Sequence, residues 1–165
     1  MGVLVNVRLC FVCLGNICRS PTAAAVMRHR VAQADLGDRI EIESAGTSSW
    51  HIGEPPDERS VREALRRGIA MHDRGRRFDT ADFDRFHLVL AADYDNAATL
   101  RALARGPDDE RKVHLLRSFD PLAGGDLAVP DPYFGGTDGF AQVFDVIDAA
   151  CVGLLEHLTA GPLAE

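Results

Sequence analysis

Apolar and polar positions fall into blocks along the chain, and the period changes from block to block. Residues 7–12 (VRLCFV) form a short β-prone run, which predicts a strand. Ser20-Pro21 opens the next block, and proline suits the first turn of a helix. The helix predicted there runs to about residue 35 and turns Ala24, Met27 and Val31 inward. Residues 40–43 (IEIE) alternate apolar and charged, as a half-buried strand does. Residues 57–67 read as a helix with Val61 and Leu65 inward, stopped by Gly68. Residues 87–92 (HLVLAA) predict an apolar strand, 95–105 a helix ended by Gly106-Pro107, and 113–116 a fourth strand. The stretch 122–136, rich in Gly, Pro and Asp, is too long for a plain connector. Residues 138–159 are the clearest periodic segment: Phe140, Val143, Phe144, Ile147, Cys151, Leu154, Leu155 and Leu158 follow helical spacing.

Strands separated by helix-length segments imply an α/β fold. We expect three layers: a four-stranded parallel sheet, helices on both faces, and an anion-binding loop after the first strand. No repeat or linker divides the chain, so residues 1–165 are expected to form one domain with short flexible termini. In such sheets ligands bind where strand C-ends meet helix N-ends.

Composition narrows the functional classes. The 165 residues are 46% apolar and 26% charged, ordinary for a soluble domain, and numerous enough to bury a core without staples. A net charge of −7 repels phosphate backbones and argues against nucleic-acid or anionic-membrane partners. The cluster Arg74, Arg76 and Arg77 reads as a solvated face. Cys10, Cys13 and Cys18 crowd together and Cys151 stands alone, which is no disulfide framework. A reducing cytoplasm is the expected compartment. The apolar stretch 3–17 lacks a positive leader and is interrupted by Arg8, so it does not read as a signal peptide. No run approaches the ~20 apolar residues of a membrane helix.

The chemistry gathers at Cys13-Leu14-Gly15-Asn16-Ile17-Cys18-Arg19-Ser20-Pro21, where a strand ends, a Gly-containing loop follows and a helix begins. Backbone N–H groups and a helix N-terminus converge there, which makes an anion site. A cysteine at the start of that loop sits in a positive field that favours a nucleophilic thiolate. Arg19 can fold over the loop, its planar fork matching two phosphate oxygens. Acyl transfer would want a histidine base, and this segment has none; phosphoryl transfer to sulfur suits the set better. Cys10 and Cys13 are at odd strand separation and should face opposite sides, which argues against a metal-ligand reading, and Cys10 reads as core. No metal or other cofactor is expected.

CLGNICRSP resembles the signature loop of low-molecular-weight protein tyrosine phosphatases of the bacterial type. The resemblance extends to SAGT at 44–47, Trp50, and the DPY at 131–133. It implies a metal-independent hydrolysis of phosphotyrosine in which Cys13 becomes a phosphocysteine and Arg19 grips the non-bridging oxygens. Asn16 would hold the loop, in a left-handed conformation that asparagine tolerates. Ser20 would donate its hydroxyl to the thiolate, and the amides of Leu14, Gly15, Asn16, Ile17, Cys18 and Arg19 would complete the cradle. Phosphotyrosine-containing proteins are the implied partners, with inorganic phosphate or other oxyanions at the loop.

A phenolate leaves poorly at neutral pH without a proton, so a carboxylic acid must reach it. Asp131, between Pro130 and Pro132, is the candidate. On the residues alone the reading of an Asp-Pro pair as a turn former stands ahead; the resemblance assigns it the acid's role, ahead of Asp126. The resemblance also places Trp50 and Tyr133 at the pocket rim, where a substrate ring slots between them. His51 reads as a structural or surface residue, and His72 and Asp93 as scaffold. Many relatives carry two adjacent tyrosines after the acid; here the second is Phe134. Cys18 either packs beneath the loop or bridges reversibly to Cys13, and the resemblance implies the protective bridge.

Three rival classes fit the sequence less well. Arsenate reductases share the loop but need resolving cysteines, and no Cys lies between Cys18 and Cys151. Arginine phosphatases place a threonine where Ile17 stands, and an apolar side chain cannot orient a guanidinium. A phosphate-binding module would not need both a thiolate and a positioned acid.

Overall fold

The computed structural model describes residues 6–133 and 137–160. Strands β1 (Val7–Cys13), β2 (Ile40–Gly46), β3 (Leu88–Ala91) and β4 (Val113–Leu115) form a parallel sheet in the order β2-β1-β3-β4. From β1 the chain moves to β2 on one side and then to β3 on the other. The order therefore reverses at the C-terminal end of β1, and a crevice opens there. The helices are α1 (Arg19–Gln33), α2 (Glu58–Arg66), α3 (Asp82–Arg85), α4 (Tyr94–Leu103), α5 (Pro107–Glu110) and α6 (Thr137–Thr159).

β1 is covered on both faces, which is why its sequence is a nearly continuous apolar run. Leu9, Phe11 and Cys13 join the core shared with α1, α2 and α6, while Cys10 and Val12 pack with Phe83 and Leu100 in the opposite layer. Cys10 and Cys13 thus face opposite sides, as their odd separation requires. The three-layer α/β arrangement is the one expected.

α6 buries its expected face: Phe140, Val143, Phe144, Ile147, Cys151, Leu154 and Leu158 are buried and Leu155 packs at the edge. α1 turns Ala24, Met27 and Val31 into the core; Ala23, Ala25 and Val26 are buried as well, because the helix is sandwiched between sheet and α6. Among the described residues, no helix is long and apolar enough to cross a membrane.

Several local expectations need correction. Leu65 is 59% exposed, because α2 turns Ser60, Val61 and Ala64 toward the core and leaves Leu65 off that face. Gly106-Pro107 does more than stop a helix: Pro107 opens α5, and Asp109 folds back to accept bonds from Arg105. The second strand runs on through Ser44–Gly46 to the C-terminal end of the sheet, and the fourth is followed by a 3-10 turn, Leu116–Phe119. Arg76 is no solvated surface residue; it is half-buried and paired with Asp82. Phe134 and the chain termini lie outside the described residues.

Candidate active site

β1 delivers Cys13 to the crevice, residues 14–18 curl back, and α1 starts at Arg19. The Cys13 Sγ lies 3.0 Å from the Ser20 Oγ and 3.4 Å from the Ser20 N–H. The sulfur therefore faces the N-terminal end of a 15-residue helix, where partial positive charge accumulates.

Asn16 makes the curl possible. Its φ of 58° is in the left-handed region that asparagine tolerates better than most residues. Its Nδ2 donates to Ser20 Oγ at 2.7 Å and to Ser44 Oγ at 3.0 Å, and its Oδ1 accepts the Arg76 N–H at 3.0 Å. With a lone pair of Ser20 Oγ occupied by that amide, the hydroxyl is held in place with its hydrogen available to an ionised sulfur. Ser44 in turn donates to Asp73 Oδ2 at 2.8 Å, and Asp73 Oδ1 accepts from Arg28 at 2.8 Å. A run of oriented side chains thus leads from an ion pair to the cysteine.

The SAGT segment docks against the same loop. Thr47 and Ser48 donate their N–H groups to the carbonyls of Cys13 and Leu14 at 2.9 and 3.0 Å. Gly46 is required there, since a Cβ would come within 2.8 Å of the Leu14 carbonyl oxygen.

Arg19 is 4% exposed. Its Nη1 donates to Asp93 Oδ2 at 2.8 Å and to the Val129 carbonyl at 2.9 Å. Its Nη2 stands 3.7 Å from Asp131 Oδ2. Burial penalises its charge, yet Cys13, the bonded Asp93 and Asp131 outweigh that cost and hold the guanidinium above its ordinary range. Asp93 is scaffold of a specific kind: its other oxygen caps α4 through the Asn96 N–H at 2.8 Å, so the start of α4 aims the arginine.

A cavity of about 360 Å³ opens over Cys13 and Arg19. Leu14, Gly15, Ile17 and Cys18 form its walls, and Trp50, His51, Asp131 and Tyr133 its rim. Trp50 is 70% exposed and Tyr133 37%, so both offer ring surface to a ligand. Asp131 accepts the Tyr133 N–H on Oδ1 at 3.0 Å, which turns Oδ2 toward Arg19. Asn16 and Ser20, expected among the binding residues, are buried beneath the cavity and do not line it.

His51 is the site residue that sequence reasoning missed. It lies at the rim with Nδ1 3.1 Å from Glu54 Oε2 and its ring centroid 6.5 Å from that of Tyr133. Adjacency to Trp50 was the one signal available. His72 is exposed; its neighbour Asp73 fills the scaffold role expected of it. Asp126 does not line the cavity, and its carboxylate accepts the Ala128 N–H.

Cys18 is buried, and burial together with nearby Asp57 pushes its thiol up to about 12, so it stays neutral at physiological pH. Cys13 and Cys18 are both free and both border the cavity. The ensemble brings together a cysteine sulfur at a helix N-terminus, a buried guanidinium, and a carboxyl group beside aromatic surface, all lining one cavity.

Comparison with known proteins agrees with this geometry. The family model described as low molecular weight phosphotyrosine protein phosphatase matches residues 8–162. A low molecular weight protein-tyrosine-phosphatase of Streptomyces coelicolor is 50% identical over 149 residues, 90% of this chain and 91% of that protein. The crystal structure of a protein tyrosine phosphatase of Entamoeba histolytica, with Hepes in its active site, superposes with a TM-score of 0.90 at 35% identity, covering 94% of this chain and 99% of that one. A Drosophila arginine phosphatase superposes with a TM-score of 0.86 at 32% identity, covering 93% and 98%. On the sheet order, the loop between β1 and α1 and a match over nearly the whole length, the chain belongs to the low molecular weight phosphotyrosine protein phosphatase family.

Proposed function

We propose that this protein hydrolyses phosphotyrosine in proteins, without a metal, through a phosphocysteine on Cys13. One observation carries the reading: Cys13 Sγ, bonded by Ser20 at a helix N-terminus, shares a cavity with Arg19 and Asp131. In the first step the thiolate attacks phosphorus and the phenolic oxygen leaves with the proton of the Asp131 carboxyl. Arg19 and the loop amides bind the three non-bridging oxygens and tighten as their charge develops, which supplies the positive charge the transfer needs. In the second step the Asp131 carboxylate takes a proton from water as that water attacks phosphorus. The Cys13 thiolate leaves, steadied by the Ser20 hydroxyl, and inorganic phosphate is released. We place this activity in a single domain in the cytoplasm, where a thiol nucleophile stays reduced.

Depth and rim set the expected selectivity. A cysteine at the floor is reached by a long flat side chain, and Trp50 and Tyr133 offer it stacking surface. The structural likeness to an arginine phosphatase keeps phosphoarginine as the rival substrate. Ile17 presents an apolar wall, the wrong surface for a guanidinium. Matched phosphotyrosine, phosphoserine and phosphoarginine peptides, assayed with chelator present, test this. The phosphotyrosine peptide is expected to turn over fastest, with no loss to the chelator. Faster hydrolysis of the phosphoarginine peptide would overturn the specificity and leave the loop chemistry standing.

The cavity also supports a protective role for Cys18. Peroxide takes the Cys13 thiolate to a sulfenic acid and is itself reduced to water. The Cys18 thiol then condenses with it, releasing a second water and closing a disulfide that an added thiol reduces. Peroxide-inactivated wild type is expected to recover most of its activity on thiol treatment, and Cys18→Ser much less. Equal recovery, with no Cys13–Cys18 linked peptide by mass spectrometry, sinks the idea.

A further inference from the structure

Arg59, in the first turn of α2, belongs to neither the cradle nor the acid, yet it joins them. The Asp57 N–H donates to the Ile17 carbonyl of the phosphate loop at 2.8 Å. The Asp57 carboxylate caps α2 and accepts from the Arg59 N–H at 2.8 Å, from Nε at 3.1 Å and from Nη2 at 3.0 Å. The same Nη2 donates to the Tyr133 carbonyl at 3.0 Å. The Tyr133 N–H holds Asp131 Oδ1, and Asp131 Oδ2 faces Arg19. These contacts close a circuit from the phosphate loop through α2 to the acid loop and back.

We propose that Arg59 is a positioning residue for the general acid, setting where Asp131 stands over Cys13 by tying Tyr133 to the phosphate loop through Asp57. The inference rests on the reading of Asp131 as that acid. The guanidinium plane makes the joint firm. It lies 4.6 Å from the Phe140 ring centroid on α6 and 5.6 Å from that of Tyr133, so both rings brace it. Burial alone would raise the Asp57 carboxyl, but the bonds from Arg59 hold it below the ordinary carboxylate range, so the acceptor remains ionised. A lysine offers no planar fork and cannot grip Asp57 at two oxygens while reaching Tyr133.

An acid displaced by an ångström fails to protonate a poor leaving group and matters little for a good one. The test is kcat/KM on a series of aryl phosphates of graded phenol acidity, for wild type, Arg59→Ala, Arg59→Lys and Asp131→Asn. Arg59→Ala is expected to lose roughly tenfold to a hundredfold on phenyl phosphate and under about threefold on the most activated ester, since misplacement costs about that much. Arg59→Lys should fall between Arg59→Ala and wild type, and it carries the comparison by itself if the alanine protein does not fold. In the Asp131→Asn background Arg59→Ala should add under about twofold, because residues that act through one another are not additive. An equal loss across all leaving groups, or a full extra loss in the Asp131→Asn background, overturns the inference while the reading of Asp131 stands. A flat leaving-group profile for Asp131→Asn itself overturns both.

Discussion

A Cys13→Ser protein is expected to fold normally and to lose hydrolysis of aryl phosphates by at least roughly four orders of magnitude, the scale seen when a nucleophile is removed and its binding groups remain. Serine is slightly smaller than cysteine, and the site is buried at a strand end with Ser20 in hydrogen-bond reach, so the replacement oxygen fits without displacing the loop. What it lacks is an ionised form at neutral pH, because an alkoxide is far less accessible than a thiolate. The bonds among Asn16, Ser44 and Asp73 do not involve the sulfur and should persist, keeping the cradle in shape. Circular dichroism and a melting curve establish the fold, and a sensitive phosphate-release assay reads the turnover. Appreciable turnover by a folded serine variant would mean that another group is the nucleophile.

Asp131→Asn should slow phenyl phosphate hydrolysis by roughly 10²–10⁴, the usual size of a general-acid contribution. The substitution is conservative for the loop. Asparagine keeps an oxygen to accept the Tyr133 N–H, and the Val129 carbonyl remains bonded to Arg19. It removes the proton that a phenolate with conjugate pKa near ~10 requires. The loss, read as kcat/KM, should shrink as the leaving phenol becomes more acidic and needs less help. A constant loss across the series would give Asp131 a structural role.

The parts of this molecule legible in its sequence are those whose physics is local. β1 announced itself by β-prone composition and α6 by spacing, and both are buried where the pattern put them. The phosphate loop was readable because nucleophile, turn residue and guanidinium lie within Cys13–Ser20, so strand, loop and helix constrain one another without help from the rest of the chain. The left-handed Asn16, which the resemblance implied, is present as well, at a residue type that tolerates it.

What stayed hidden depends on meetings across the fold. Arg19 and Asp93 are 74 positions apart, and no periodicity says which surface aspartate will cap a helix and hold a buried arginine. Nothing local marks Asp73; its part in the site depends on β2 bringing Ser44 beside it. His51 reaches the cavity because a loop folds over Gly15. Asp131 was distinguishable from a turn former by resemblance alone. Leu65 was misplaced because two apolar residues one turn apart do not say which side of a short helix the core will take.

The proposed reaction requires a covalent intermediate at one atom. Wild-type enzyme mixed with excess phosphotyrosyl peptide, quenched in acid during turnover and digested for mass spectrometry, should carry a single phosphoryl group on the peptide containing Cys13, bound through sulfur. Active enzyme with no phosphoryl group on Cys13, or with one on a different residue, would contradict it.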